Sequence, residues 1–172
     1  MKIYQASVLH TRQLHHLGNI TYRQHFSDIW SEQGLQSFLN QDFSMDSLSL
    51  SLTDPQQIWI LIENEHSQLI GYAKLNLNQY QPDLKCIGME LQKIYLLKEV
   101  IGKHVATNLM QYIIEIANQN KQAYIFLEVL KTNVRAKKFY QKFAFTEQLS
   151  LDFKTDLYDI GMDLMQLELN PR

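Results

Sequence analysis

A glycine-bearing loop ahead of a helix is the first part of this sequence that could do chemistry. Ile101, Gly102, Lys103 and His104 follow one apolar stretch and precede another. Because glycine has no Cβ, backbone amides can approach a ligand closely there. The next helix would add unpaired N–H groups and the positive end of its dipole. With the charge of Lys103, this predicts a phosphate site, although the loop taken alone is more simply a strand-to-helix turn with a solvated lysine.

The elements around this loop form a parallel β-α-β unit followed by a helix. Residues 89–97 are mostly apolar and have the length of a strand that crosses a core. From Val105 the apolar residues recur at offsets of four, seven, eight and eleven, which is typical of one helix face. Residues 124–130 form a near-continuous apolar run, as expected of a strand buried on both faces. The last helix begins near Asn133 and is expected to bury Ala136, Phe139, Tyr140 and Phe143.

The same stretch resembles the GNAT-type N-acetyltransferases. Those enzymes carry a Q/R-x-x-G-x-G/A loop that grips the pyrophosphate of acetyl-CoA, and residues 99–104 are the matching run here. Gly102 matches the pattern, whereas Glu99 and His104 depart from it. Residues 133–145 resemble the family motif N-x-x-A-x-x-F-Y-x-K-x-G-F, with Ala144 in place of the usual glycine. The resemblance is specific over about sixty residues and weaker over the rest of the chain.

The resemblance implies one GNAT domain over residues 1–172, an α+β (α/β) sandwich. Its sheet would be mixed and mainly antiparallel, with helices on both faces. Two parallel strands, near residues 91–96 and 124–129, are expected to splay and admit acetyl-CoA. The implied reaction is direct transfer of the acetyl group to a primary amine within a ternary complex, without a covalent acyl-enzyme and without a metal.

The resemblance also assigns contacts to acetyl-CoA. Ile94, Tyr95 and Leu96 would line the acetyl and pantetheine arm, and the backbone N–H of Leu96 would polarise the acetyl carbonyl. Asn133 would bond to the CoA arm and Lys142 would reach a phosphate, although helix capping and solvation explain these two residue types equally well. The pyrophosphate contacts would be Gly102, Lys103, His104, Val105, Ala106 and Thr107.

Amine acetylation needs a proton acceptor, a donor to the oxyanion and a proton source for the departing thiolate. An amine with a pKa near ~10 is protonated at neutral pH and must lose that proton before it attacks. Tyr140 matches the family's general acid, and an ordinary buried aromatic is the alternative reading.

Glu90 is the candidate base, with an idle, solvated carboxylate as the alternative. Strand alternation places it on one face of the strand, and if that face looks into the acceptor cleft, Glu90 lies near the reacting end. Related polyamine enzymes place a glutamate at the position that corresponds to Gln92, so the base could lie one alternation further on. The residues expected on this face are Glu90, Gln92, Ile94 and Leu96.

Three aromatic residues near the N-terminus form the candidate acceptor wall. Tyr22, Phe26 and Trp30 are four residues apart and share a face if one helix continues that far. Residues 21–39 resemble the first helices of the PaiA-like bacterial spermidine/spermine acetyltransferases. Aromatic rings could hold an alkylammonium chain by cation–π contacts, and core packing is an equally good explanation. A polyamine is the preferred acceptor; a peptide or protein amine, an aminoglycoside, or an inactive CoA-binding module are the alternatives.

Composition sets further bounds. With 172 residues, 45% of them hydrophobic, the chain is expected to form one globular domain. The N-terminus lacks the pattern of a secretory signal and no apolar run could span a membrane, so a cytoplasmic location is expected. Cys86 is the only cysteine, which excludes an intrachain disulfide. A net charge of −2 argues against nucleic-acid partners, and a homodimer is compatible with the resemblance.

Patterns elsewhere predict the remaining elements. Strands are expected at residues 2–7, 57–63, 68–76, 146–153 and 160–169, with helical segments at 11–26, 27–40 and 43–52. The polar residues 76–85, which include Pro82, are expected to form a loop. Histidines 10, 15, 16 and 25 do not have the spacing of a metal site, so solvated or locally bonded side chains are expected.

Overall fold

The computed structural model describes residues 1–102 and 104–169. Its strands are β1 Lys2–Gln5, β2 Gln57–Glu63, β3 Leu69–Gln81, β4 Cys86–Leu96, β5 Tyr124–Leu130, β6 Thr146–Leu151 and β7 Met162–Glu168. Its helices are α1 Thr11–Phe26, α2 Glu32–Asp42, α3 Met45–Thr53, α4 Val105–Gln119 and α5 Val134–Gln141. Short 3₁₀ turns cover Val8–His10 and Lys98–Val100.

Within those residues the strands form a mixed sheet in the order β1-β2-β3-β4-β5-β7-β6. Only β4 and β5 run parallel, and they pair at just two positions, Met89 with Ile125 and Glu90 with Phe126. All other neighbours are antiparallel. The predicted mixed, mainly antiparallel sheet with splayed parallel strands is therefore confirmed.

Apolar side chains divide between two cores, one on each face of the sheet. On one face, Leu109 and Ile113 of α4 and Tyr140 of α5 pack on the strands. On the other face, Leu14 of α1 and Leu35 of α2 pack, together with residues of α3, over an aromatic floor. The predicted helices on both faces are confirmed. The apolar residues of α4 recur with the helical period because the side chains on that face are buried away from water.

Helix α1 covers the predicted helical segment 11–26 without a break, whereas one other segment differs from its predicted form. Helix α1 is continuous through Gly18, since the missing Cβ makes room for Phe43, whose Cδ1 would lie only 2.1 Å from a Cβ there. Strand β3 continues to Gln81, although residues 76–85 were expected to form a loop. Its polar end pairs with the start of β4, as in the pairs Tyr80–Ile87 and Gln81–Cys86. Tertiary pairing therefore overrides the low strand propensity of this segment.

Candidate functional site

A β-bulge in β4 decides which side chains face the site. Leu75 pairs with Leu91 and Lys74 pairs with Lys93, so Gln92 is an extra residue on β4. The bulge reverses the alternation beyond this point.

The bulge changes which side chains of β4 share a face of the sheet. Ile94 and Leu96 pack with Met89 in the core beneath α4. Gln92 instead lines a cavity on the opposite face, and Glu90 also points away from the α4 core because its neighbours Met89 and Leu91 point into it. The prediction that Glu90 and Gln92 share a face with Ile94 and Leu96 is wrong, because strict alternation does not survive a bulge.

The opening between β4 and β5 begins directly after Glu90 and Phe126, the last paired residues. Beyond them, the edge of β4 through Ile94, Tyr95 and Leu96 has no pairing with β5 among the residues described. On the side of β4 away from β5, Leu97 N–H donates to Ile70 O at 2.9 Å and holds this part of the chain to β3. The backbone of this edge is thus available to a ligand that enters between the strands.

Tyr140 lies on α5 and is buried at 7% exposure. Its ring packs against Phe139 and Phe145, with centroid distances of 5.6 and 5.7 Å. Burial raises the pKa of Tyr140, so its hydroxyl keeps its proton at neutral pH. Throughout residues 1–102 and 104–169 the hydroxyl has no hydrogen-bond partner, and it can therefore donate to a ligand.

The predicted phosphate loop has the backbone geometry of an anion site. Gly102 has φ +92°, and a Cβ built there would meet no atom within 4 Å. His104 precedes α4 in the left-handed region, with φ 60°, and its side chain does not cap the helix. The first-turn amides at Val105, Ala106 and Thr107 are therefore not satisfied by a capping side chain. Predicted contact Lys103 lies outside the described residues.

The departures from the two family motifs, the loop and the α5 segment, have structural explanations. Glu99 accepts a hydrogen bond from Gln24 of α1, with Nε2 to Oε1 at 3.4 Å, so its carboxylate is directed toward that helix. Ala144 has φ 65°, which is the conformation that the usual glycine adopts without steric cost. The loop fits a pyrophosphate in spite of these departures, because the space at Gly102 is open and the His104 side chain does not cap the start of α4.

Asn133 and Lys142 lie at the two ends of α5. Asn133 Oδ1 accepts from the Ala136 N–H at 3.1 Å, so Asn133 caps the helix. Lys142 ends the helix and is exposed to solvent. Capping is thus established for Asn133, while contacts of either side chain with CoA stay a prediction.

Two carboxylates lie near the start of the opening, on the face of the sheet opposite the α4 core. Glu90 Oε2 accepts from Asn76 Nδ2 at 2.6 Å. Glu128 lies two residues beyond Phe126, on the same face of β5. Burial raises the pKa of Glu128, and the nearby carboxylates of Glu90 and Asp83 raise it further.

Glu128 is a functional candidate that the sequence interpretation missed. The run 124–130 was interpreted only as a buried strand. Its signal was nevertheless present, because Glu128 is the one charged residue in that apolar run. In the structure its side chain is the exposed one of the strand.

The three aromatic residues of the predicted acceptor wall do not share one face. Helix α1 ends at Phe26, so Trp30 lies beyond it. Tyr22 is a core residue whose ring stacks on Phe38 at 4.2 Å. Phe26 is half-buried and meets the Tyr95 ring at 5.5 Å.

Trp30 contacts a different part of the chain. Its ring packs edge-on against Phe153 at 6.3 Å, which joins the α1–α2 connection to the β6–β7 connection. Ser31 N–H donates to Asp156 Oδ1 at 3.0 Å and strengthens this contact. Phe26 and Trp30 therefore stay predicted wall residues, whereas Tyr22 belongs to the core.

A polar cavity of about 380 Å³ lies beside the carboxylates on the same face. Gln92, Lys74 and Trp59 line it. The Lys93 ammonium forms an ion pair with Asp42 at 2.6 Å next to this cavity. Burial lowers the pKa of Lys74, and Lys93 lowers it further. Asp42 and Asp54 also line the cavity, so cationic and anionic groups are both present in it.

Metal chemistry finds no support in the described ranges, where no cluster of three or more His, Cys, Asp or Glu side chains is placed to hold an ion. His15 Nδ1 lies 2.6 Å from Phe43 O, and His25 Nε2 lies 2.8 Å from Leu96 O. These two histidines are locally bonded, as expected. Among the same residues no helix has the length and apolar character needed to cross a bilayer.

Comparisons with known proteins agree with this geometry. Residues 15–145 match the Acetyltransferase (GNAT) family. An uncharacterized N-acetyltransferase from Mycobacterium tuberculosis is 30% identical over 111 residues, which cover 64% of this chain and 67% of the relative. The PaiA N-acetyltransferase from Thermoplasma acidophilum, crystallised with coenzyme A, superposes with a TM-score of 0.77 at 20% identity, over 97% of this chain and 98% of that one.

A further solved structure shares the fold at lower similarity. A variant of the spermidine N-acetyltransferase SpeG from Vibrio cholerae has a TM-score of 0.70 at 16% identity, over 98% of this chain and 93% of that one. With the family match over most of its length and the strands parted where a thioester cofactor would enter, this chain belongs to the GNAT family of acetyl-CoA-dependent N-acetyltransferases.

Proposed function

We propose that this N-acetyltransferase acts on a primary amine of a polyamine such as spermidine or spermine. The observation that carries the proposal is the pair of carboxylates, Glu90 and Glu128, placed where β4 and β5 separate. A polyamine is a small molecule with several positive charges, and its ammonium groups would be attracted to this pair. Asp83 adds a third carboxylate close enough to raise the pKa of Glu128.

The walls of the cleft favour a small acceptor over the terminus of a folded protein. The β6–β7 connection reaches the start of α2, where Ser31 N–H donates to Asp156. Trp30 and Phe153 close the same region with an edge-on ring contact. An extended alkylammonium chain can lie against such rings by cation–π attraction, worth about 0.5–2 kcal/mol.

Acetyl-CoA would bind to backbone groups that, in the residues the structure describes, have no partner within the sheet or a helix cap. The loop at Gly102 and the amides of Val105, Ala106 and Thr107 would hold the pyrophosphate. The edge of β4 at Ile94, Tyr95 and Leu96 would hold the pantetheine arm between the strands. When bound there, acetyl-CoA supplies an activated acetyl thioester within reach of the acceptor side.

Proton removal is the task we assign to the two carboxylates. A protonated amine cannot attack, because its nitrogen has no free lone pair. Glu128 has a raised pKa and so binds a proton more tightly than an ordinary glutamate, which suits a proton acceptor. Glu90 would hold the ammonium group beside it, or receive the proton directly.

Acetyl transfer then forms one bond and breaks another. The amine nitrogen bonds to the acetyl carbon while the Leu96 N–H donates to the developing oxyanion. The carbon–sulfur bond breaks as the Tyr140 hydroxyl gives its proton to the departing sulfur. The nitrogen loses its second proton to solvent, and a proton from solvent restores Tyr140. The products are an N-acetyl amine, free CoA thiol and one released proton.

An amine panel tests this proposal. Purified protein is incubated with acetyl-CoA and, separately, spermidine, spermine, an alanine-terminated peptide and an aminoglycoside, and free thiol is followed. We expect thiol release that depends on the polyamine, with the highest kcat/KM for spermidine or spermine. A higher kcat/KM for the peptide or the aminoglycoside would show that this compound, and not a polyamine, is the preferred acceptor. Thermal stabilisation by CoA without turnover of any amine would instead indicate an inactive CoA-binding module.

A further inference from the structure

Asn76 lies on β3 directly opposite Glu90 of β4 and contacts its carboxylate. The two residues are register partners, and Asn76 Nδ2 donates to Glu90 Oε2 at 2.6 Å. Asn76 is only 9% exposed, which is unusual for an asparagine. A short hydrogen bond from a buried amide to a carboxylate restricts the position of both side chains.

The other half of the Asn76 amide is left without a partner. In the part of the chain that the structure describes, Asn76 Oδ1 is the buried side-chain oxygen or nitrogen that makes no hydrogen bond. Such an unpaired acceptor costs about 1–3 kcal/mol. Turning the amide over would only place Oδ1 against a carboxylate oxygen of Glu90. The packing therefore keeps a donor on Glu90 although this leaves a buried oxygen unpaired, and unsatisfied groups of this kind call for an explanation beyond stability.

The charges around Glu90 supply that explanation. Lys74 is two residues before Asn76 on the same face of β3 and is close enough to interact electrostatically with Glu90. Lys93, a second cation on this face, is already paired with Asp42. Glu128 is close enough to Glu90 for the two carboxylates to repel each other. A carboxylate that could rotate freely would turn toward the Lys74 ammonium.

We propose that Asn76 is a positioning residue: its amide N–H fixes the Glu90 carboxylate at the start of the opening between β4 and β5 and keeps it from the Lys74 ammonium. A neutral donor fits this task, because it fixes the carboxylate without cancelling the charge that attracts the substrate. The inference rests on the proposed function, since it assigns Glu90 to the acceptor site.

The first test compares two substitutions that add the same charge to the same strand. Asn76→Asp replaces the donor to Glu90 by a third carboxylate, whereas Asn78→Asp keeps the oxygen that accepts from Gln122 Nε2 at 2.9 Å. We expect Asn76→Asp to lower kcat/KM for the amine at least tenfold. We also expect the acid limb of its pH profile to move to higher pH, because clustered carboxylates release their protons less readily. Asn78→Asp should keep the wild-type profile. Equal profiles for wild type and Asn76→Asp, or equal shifts in both variants, overturn the proposal.

A structural readout keeps this test independent of the acceptor. In crystals of Asn76→Leu, which removes the donor at similar volume, the Glu90 carboxylate should lie within about 3 Å of the Lys74 ammonium. A Glu90 side chain that keeps its place in Asn76→Leu overturns the positioning role. Wild-type protein that acetylates no polyamine would overturn the proposed acceptor instead, while the crystal comparison still decides the role of Asn76.

Discussion

Glu90 and Phe126 are the last residues at which β4 and β5 pair, and the sheet opens immediately beyond them. Just before this pair, Gly88 lets the two strands approach, because a Cβ there would lie 2.6 Å from the Tyr124 carbonyl oxygen. The strands are therefore close at one end and separate at the other. This single relationship places the unpaired edge of β4 and the carboxylates of Glu90 and Glu128 at one opening.

The loop at Gly102 is expected to bind phosphate. Gly102→Ala adds a Cβ that meets no protein atom within 4 Å but that would project into the proposed pyrophosphate site. We expect the KM for acetyl-CoA to rise at least tenfold, which corresponds to about 1.4 kcal/mol, as measured by initial rates. Gly161→Ala is the matched control, since Gly161 also has positive φ, at 75°. It should lose comparable thermal stability with an unchanged KM for acetyl-CoA; a similar KM increase in both variants would reduce Gly102 to a structural turn.

The Tyr140 hydroxyl is expected to protonate the departing thiolate. Tyr140→Phe keeps the ring contacts with Phe139 and Phe145, so Tm should change little. The kcat should fall by about 10²-fold or more, the range of general acid catalysis, while the KM for acetyl-CoA stays close to that of wild type. Tyr112→Phe, a partly buried tyrosine of the same core, should keep full activity. A Tyr140→Phe variant with wild-type kcat would exclude this role.

Stability should depend on pH through Glu128. Its folded-state pKa is raised by burial and by its carboxylate neighbours, so the ionised form is disfavoured in the folded protein. Below its ordinary value of 4.5 the residue is neutral in both states, and stability is lost as pH rises through the raised pKa.

Glu128→Gln removes this loss, so we expect the variant to melt at a higher temperature than wild type at pH 7–8. The difference should vanish below about pH 4.5, while acetylation at pH 7 falls sharply. Thermal melts across pH check this expectation, and a variant less stable than wild type at pH 8 would contradict it.

Trp30 and Tyr22 should respond differently to substitution, although both are aromatic residues of the same segment. Trp30 is half-buried against Phe153, and we propose that it belongs to the acceptor wall. Trp30→Leu is expected to raise the KM for spermidine several-fold and leave the KM for acetyl-CoA unchanged. Tyr22 is buried in the core, so Tyr22→Ala should lower the free energy of unfolding by about 3–5 kcal/mol. Steady-state kinetics and urea unfolding separate the two outcomes, and a Trp30→Leu variant with unchanged KM for spermidine would remove Trp30 from the acceptor wall.

Ala144 adopts a backbone conformation that suits glycine. Its φ is 65°, and the left-handed region costs a residue with a Cβ about 1–2 kcal/mol. Glycine has the greater conformational entropy in the unfolded state, which offsets part of this gain. Ala144→Gly should therefore stabilise the fold by about 0.5–1 kcal/mol. Each kcal/mol corresponds to a rise in Tm of roughly 2–4 °C. Ala136→Gly, inside α5, should instead destabilise by about 1 kcal/mol. Differential scanning calorimetry distinguishes the two, and a destabilised Ala144→Gly variant would show that the strain is absent.

Much of the fold could be predicted because the patterns are local. The apolar run of β5 and the periodicity of α4 are set by side chains that must leave water, and both elements begin where the pattern begins. The motif around Asn133 and Tyr140 likewise predicted a helix whose tyrosine is buried. These features depend on spacing along the chain, so the sequence alone determined them, together with the family.

The arrangement of the site was decided by contacts between distant segments. The bulge at Gln92 arises only when β4 pairs with β3, and it sends Ile94 and Leu96 to one face while Glu90 stays on the other. Glu128 becomes an acceptor-side carboxylate only because β5 separates from β4 beside Glu90. No local pattern can encode a bulge or the distance between two strands, because both are consequences of how whole elements pack.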